Sequence, residues 1–329
     1  MRAPHGWWLD HGDALCRALQ PIGMIYGALT AQRMKQQGTR AKIPVLCIGN
    51  FVAGGAGKTP TALALGKMLQ AKGEKIAFLS RGYGGTKTSA KPIQVDPQRD
   101  SAADVGDEPL LLARLAPTFI CTDRVAGPDA AAQSGATLLI LDDGLQNPAL
   151  SKDVSLAVID GEAGIGNGLC VPAGPLRAPL EAQWPHVDGV IIIGQGARGD
   201  ALAQQAHAHG KLILRASLTP EEAPALHNKK LYAFAGIGRP EKFFQTVRDL
   251  GGTLVGTQTF ADHHAFTSAE LTSLKENALR HAATLVTTEK DAIRIPDGAL
   301  PDLIVLSVAL HFDAPETLND VIARKISRG

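Results

Sequence analysis

Aromatic side chains make up only 5% of this 329-residue chain, which argues against a platform of stacked rings for single-stranded nucleic acid. An excess of one charge is also missing: 33 basic residues face 32 acidic ones, a formal net charge of +1. Nucleic acid normally demands a strongly basic face, so none is expected as a partner. Only four cysteines occur (Cys16, Cys47, Cys121, Cys170), and none forms a C-x-x-C pair. That excludes a cysteine-built zinc site and suits a reducing cytosol. A long apolar run is lacking too. Asp10 and Asp13 stand where a secretory leader needs its apolar stretch, and Arg17, Gln20 and Pro21 interrupt the apolar residues beyond them, so neither a leader nor a clean membrane span is expected.

The N-terminus does carry a stripe at helical spacing, Leu15, Leu19, Ile22, Tyr26 and Leu29. Trp7 and Trp8 precede it, and Arg33, Lys35, Arg40 and Lys42 come after it. Such flanks suit a helix lying among lipid headgroups, while the stripe alone fits equally a helix docked on its own domain.

From Ile43 onward, apolar runs alternate with glycine turns and helical stretches. Buried parallel strands are expected at 43–49, 75–80, 118–121, 137–142, 155–160 and 189–193, with helices at 61–72 and 107–115. A second series has strands at 230–237, 253–260, 284–288 and 303–308, with helices near 240–250 and 268–281. The stretch 219–230, containing Pro220, Glu221, Glu222, Pro224 and Asn228, reads as the joint. The expectation is an α/β protein: a P-loop-type, mostly parallel sheet over 41–225, a smaller α/β domain over 226–329, and an N-terminal amphipathic segment over 1–40.

The most informative stretch is Gly49-Asn50-Phe51-Val52-Ala53-Gly54-Gly55-Ala56-Gly57-Lys58-Thr59-Pro60, which succeeds a strand and opens a helix. In that setting Gly54, Gly55 and Gly57 let backbone N–H groups converge on a phosphate, aided by the helix N-terminus. Lys58 would reach the β- and γ-phosphates and the Thr59 hydroxyl would ligate Mg²⁺, so ATP and Mg²⁺ are expected. The consensus glycine at position 52 is replaced by Val52. Asp142-Asp143 ends an apolar strand, where P-loop proteins hold Mg²⁺; Asp142 is the first choice for the metal, with Asp143 nearby.

Two further clusters could serve proton transfer. Asp104, Asp107 and Glu108 precede a helix and read first as favourable N-terminal charges. Asp262-His263-His264 comes after a strand of the second series. The chain has no Asp-x-Asp to complete a DHH phosphoesterase site, so a histidine near a carboxylate fits better as a proton-accepting dyad.

In order and spacing, GNFVAGGAGKTP (49–60), SRGYGG (80–85), VGDEP (105–109), TDR (122–124), LDDGLQ (141–146), PAGPLR (172–177), FAGIGRPEKFF (234–244), DHHAF (262–266) and TTEKDA (287–292) resemble the tetraacyldisaccharide 4′-kinases of Gram-negative bacteria. The resemblance implies ATP-dependent phosphorylation of a lipid disaccharide 1-phosphate at its 4′-hydroxyl, giving lipid IVA. It also implies attachment to the cytoplasmic face of the inner membrane through the N-terminal helix, with no obligate protein partner. By similarity, Asp107 is the base, paired with His263 rather than His264. Arg81, Tyr83 and Arg124 would face the substrate, and Thr288, Glu289 and Lys290 would close on the nucleotide. The chain departs from the family pattern at Val52, Asn147, Ala178 and Arg239. Two rival classes remain: a partner-driven P-loop switch ATPase, whose second lysine is here Ala53, and a kinase of a soluble metabolite.

Overall fold

A computed structural model describes residues 4–9, 12–221 and 226–326. Asp10, and Glu222 and Pro224 of the expected joint, lie outside the described residues. Among those described, nine strands form one sheet: β1 (Val45–Gly49), β2 (Ile76–Ser80), β3 (Ile93–Gln94), β4 (Thr118–Ile120), β5 (Leu138–Asp142), β6 (Val154–Asp160), β7 (Gly189–Ile193), β8 (Leu212–Pro220) and β13 (Val308–Phe312). Their order is β13-β8-β7-β6-β1-β5-β2-β4-β3, parallel except for the two edge strands β3 and β13. Every residue of β1, β2, β5 and β7 is buried, as expected for strands covered by helices on both faces. The second sheet, in the order β10-β9-β11-β12, is built from β9 (Lys230–Ala235), β10 (Thr253–Thr259), β11 (Thr284–Thr288) and β12 (Ile304–Leu306), all parallel.

The far end of the 226–329 region returns to the large sheet. The apolar run read as one strand over 303–308 is two, divided at Ser307: β12 closes the small sheet, and β13 pairs antiparallel with β8 in the large one. The last helix, Pro315–Ile326, buries Leu318 and Ile322 in the core of the large domain, and Leu310 of β13 joins them. Apolar residues spaced four apart on one helical face make that return favourable. The chain therefore crosses between the two sheets twice.

At the N-terminus, Ala14–Met34 is helical, with the Asp13 carboxylate accepting from the Cys16 N–H as cap. Its buried residues are Cys16, Gly23, Gly27 and Met34, all but the last of them small. A Cβ on Gly23 would lie 2.6 Å from the Cys170 carbonyl, and one on Gly27 would lie 2.7 Å from the Cys170 Sγ, so only glycine permits this approach. Leu15, Ile22, Met24, Ile25, Tyr26 and Leu29 face outward and are all more than 40% exposed. The helix is thus docked on its own domain and still presents an aliphatic strip. No helix among the described residues is long and apolar enough to cross a membrane.

Candidate active site

The phosphate loop leaves β1 at Gly49 and ends at Gly57, whose φ of +89° caps the helix Lys58–Ala71. Positive φ at that junction favours glycine. The first turn of the loop is held by side chains arriving from elsewhere. Gln146 Nε2 donates to the Asn50 carbonyl at 2.7 Å, Gln183 Nε2 to the Phe51 carbonyl at 3.3 Å, and Arg177 Nε to the Val52 carbonyl at 3.1 Å. Val52 packs its side chain with Phe51, Leu145, Leu176 and Trp184. A valine is accommodated at this consensus glycine because its side chain lies in an apolar pocket. Around Gly54 and Gly55 an added Cβ would meet nothing within 4 Å, so the cradle itself is open.

β5 lies beside β1 and delivers Asp142-Asp143 next to that cradle. Asp142 is 1% exposed, yet neither carboxylate oxygen has a hydrogen-bond partner. Burial, aided by the nearby Glu108 and Asp143 charges, pushes its carboxyl up to about 7 against the pull of Lys58. An orphaned carboxylate beside an open phosphate cradle fits a hard cation. Among the described residues no three His, Cys, Asp or Glu side chains gather to hold an ion alone. An ion there would share its shell with phosphate oxygens and water, which is the habit of Mg²⁺. Asp143, expected to help the metal, is engaged otherwise. Its φ is +55°, Arg177 grips both its oxygens at 2.8 and 2.9 Å, and Lys58 Nζ stands 3.8 Å away. Burial would raise its carboxyl, but these cations hold it below the usual range.

The third component spans the two domains. Asp107 opens the helix Asp107–Ala113, and His263 comes after β10 with a φ of +58°. His263 Nδ1 lies 3.0 and 2.9 Å from the two Asp107 carboxylate oxygens. Burial works against the Asp107 anion, but His263, Lys290 and Arg294 outweigh it and set the carboxyl below its ordinary range. His264 turns away: its Nε2 is 3.0 Å from Glu270, and its ring stacks on Phe260 at 4.9 Å. Of the two histidines, only His263 meets Asp107.

The remaining expected residues divide. Arg81 and Tyr83 are exposed on the loop after β2, with the Tyr83 ring 6.0 Å from that of His263. Arg124 is buried and donates to the carbonyls of Asp142 and Asp143 at 3.2 and 3.3 Å, so it holds the acidic turn. Thr288 caps the short helix Glu289–Ala292, and Glu289 pairs with Arg114 at 3.7 Å. Lys290 points to the dyad, 3.2 Å from His263 Nε2. Sequence reasoning assigned no role to Arg177 or Arg294. Arg177 belongs to the PAGPLR segment, but nothing local shows that it reaches Asp143; Arg294 lies one helical turn beyond Lys290, the only available signal.

A mostly parallel sheet with an open phosphate cradle, an unpartnered acid beside it and a carboxylate–histidine pair joining its helices to the second sheet define a P-loop phosphotransferase. The family model for tetraacyldisaccharide-1-P 4′-kinase matches residues 15–327, and the chain belongs to that family. It is 50% identical to a tetraacyldisaccharide 4′-kinase of Methylorubrum extorquens over the whole of both chains. It is 52% identical to one of Methylobacterium nodulans, covering 96% of this chain and 93% of that one. The fold matches a crystal structure of LpxK from Aquifex aeolicus in complex with ATP at a TM-score of 0.73, with 23% identity, over 95% of this chain and 99% of that one.

Proposed function

We propose that the chain transfers the γ-phosphoryl group of ATP to the 4′-hydroxyl of a tetraacyldisaccharide 1-phosphate, forming lipid IVA at the cytoplasmic face of the bacterial inner membrane. The observation that carries the reading is the Asp107–His263 pair, assembled from both domains. A switch ATPase needs no such base, whereas a kinase must receive the proton of its acceptor hydroxyl.

In this mechanism the backbone amides of 54–59 and Lys58 hold the phosphates and stabilise charge on the γ-oxygens and the leaving oxygen. The acceptor oxygen bonds to the γ-phosphorus as the bond to the β–γ bridging oxygen breaks. The acceptor proton passes to Asp107, and ADP leaves. Thr59 and Asp142 would hold Mg²⁺, which supplies charge neutralisation on the phosphates. Arg177 and Arg124 keep the acidic turn and loop in register, and Arg81 and Tyr83, exposed on the loop after β2, would receive the anionic sugar-phosphate. The outward strip of the first helix, which is not apolar enough to span a bilayer, fits insertion among headgroups.

The test is transfer of label from γ-³²P-ATP to tetraacyldisaccharide 1-phosphate in detergent micelles, with Lys58→Ala and Asp107→Ala as controls. Label in the lipid that falls by roughly 10²–10⁴-fold in Asp107→Ala supports the reading. ATP hydrolysis without lipid product would favour the switch ATPase, and phosphorylation of soluble sugars alone would favour the metabolite kinase.

A further inference from the structure

Lys290 rises from the second domain into a group of charged side chains at the closed interface. Its Nζ lies 3.2 Å from His263 Nε2, 3.4 Å from Glu108, 3.7 Å from Asp262 and 4.0 Å from Asp107. Arg294 Nε approaches Asp107 at 3.5 Å, and the Tyr83 ring lies edge-on to His263. Asp262 Oδ2 also lies 3.8 Å from His263 Nε2, and these are the charged and aromatic groups that face His263 from the elements packed against it.

An ammonium has three donors and no acceptor. A contact of 3.2 Å to a ring nitrogen is a hydrogen bond only if that nitrogen carries no proton. With Nε2 unprotonated, the ring proton sits on Nδ1, where it donates to the Asp107 carboxylate. Resting on the reading of Asp107 as base, we propose that Lys290 is a positioning residue that fixes His263 as the neutral Nδ1–H tautomer. Its role is to keep the imidazole from taking a second proton, so that Asp107 stays the acceptor for the substrate proton. Burial opposes the Lys290 charge, but Glu108, Asp107 and Asp262 together raise its pKa, so the ammonium persists. This role differs from a contact with the nucleotide, the other use the sequence suggests for Lys290.

In a Lys290→Met variant Nε2 loses its donor and is open to a proton. An imidazolium would bind the Asp107 anion more strongly and weaken it as a base. The turnover number of the variant should then fall further below the native one as pH drops, with its KM for ATP equal to the native value at each pH.

The deciding experiment is ¹⁵N NMR of the full chain labelled at histidine, with His263→Gln to assign the signal. Native protein should show His263 protonated on Nδ1 and bare on Nε2 near neutral pH; Lys290→Met should show a proton on Nε2 under the same conditions. A native signal with the proton on Nε2 overturns the proposal, as does a Lys290→Met titration identical to the native one. A variant that raises the KM for ATP while its turnover follows the native pH profile would overturn it in favour of a nucleotide contact. The spectrum needs no substrate, so failure of the lipid-kinase reading would appear in the transfer assay and leave this measurement intact.

Discussion

Arg239 and Asp160, 79 residues apart, meet at 2.8 Å across the gap between the two domains. Asp160 also receives Lys242 at 2.7 Å, and Glu162 receives both cations. Asp160 ends β6, next to the phosphate-loop strand, and Arg239 with Lys242 opens the helix Pro240–Asp249. Arg239 and Lys242 thus fasten the small-sheet region to the end of β6 through two cations.

Because these charges are partly exposed, each pair contributes only about 0–1 kcal/mol, and salt screens it. Arg239→Asn should therefore lower kcat/KM by a few-fold at low ionic strength and make it less sensitive to added salt. Measuring kcat/KM against salt for both proteins checks this; parallel salt curves would show that the latch has no part in closure.

Asp142 carries a different signature. Its folded pKa of about 7 lies above the unfolded value of 3.8, so folding takes up a proton between them. Its contribution to stability is present below 3.8 and is lost as pH rises through about 7, a penalty of at most on the order of 4 kcal/mol near pH 8. Asp142→Asn should melt higher than native near pH 8 without nucleotide, and the gap should close toward about pH 5. The same variant should lose Mg²⁺-dependent turnover, and native enzyme should bind MgATP more weakly as pH falls below about 7.

The neighbouring histidines separate stability from chemistry. Glu270 caps its helix with Thr267 and holds His264, and backbone bonding first, then His264, lower its carboxyl to about 2. A depressed carboxylate stabilises above its unfolded value of 4.5 and loses that contribution as pH falls toward 2. Glu270→Ala should cost about 0.5–2 kcal/mol through the lost cap, with turnover close to native at low temperature. His263→Ala should reverse the pattern, keeping the melting temperature and losing roughly 10²-fold or more in turnover. Calorimetry beside the transfer assay distinguishes the two.

The two faces of the first helix should respond oppositely. Ile22→Asp with Ile25→Asp should weaken sedimentation with anionic vesicles and leave the melting temperature unchanged, because both side chains are in solvent. Gly27→Val should lower the melting temperature by a clash with Cys170 and Pro179, costing about 1–3 kcal/mol. Equal vesicle binding by the double variant would mean that the strip does not meet lipid.

Much of this was legible in the residues. The P-loop announces itself because its glycines, lysine and threonine are contiguous, and the aspartates end a strand whose apolar run is unmistakable. The parallel strands 76–80, 138–142 and 189–193 fall within a residue of expectation, since burial on both faces leaves long apolar runs. Strand β8, Leu212–Pro220, was missed because its mixed burial gives no such run, and β13 because a single residue separates it from β12. Nor can spacing show that Arg124 turns inward, that Arg177 occupies Asp143, or that Arg239 reaches Asp160; each depends on loops meeting across the fold.

The single residue between β12 and β13 bears on how this protein can move. A domain attached at one end of its chain can swivel about any bond in the linker. Here the small sheet is tied to the large one both where it begins, after β8, and where it ends, at Ser307. Two tethers act like the paired pins of a door, leaving rotation about one line and forbidding twist. Were the two sheets to part, His263 and Lys290 would return to Asp107 along the same arc, with alignment restored by the chain's path rather than found anew.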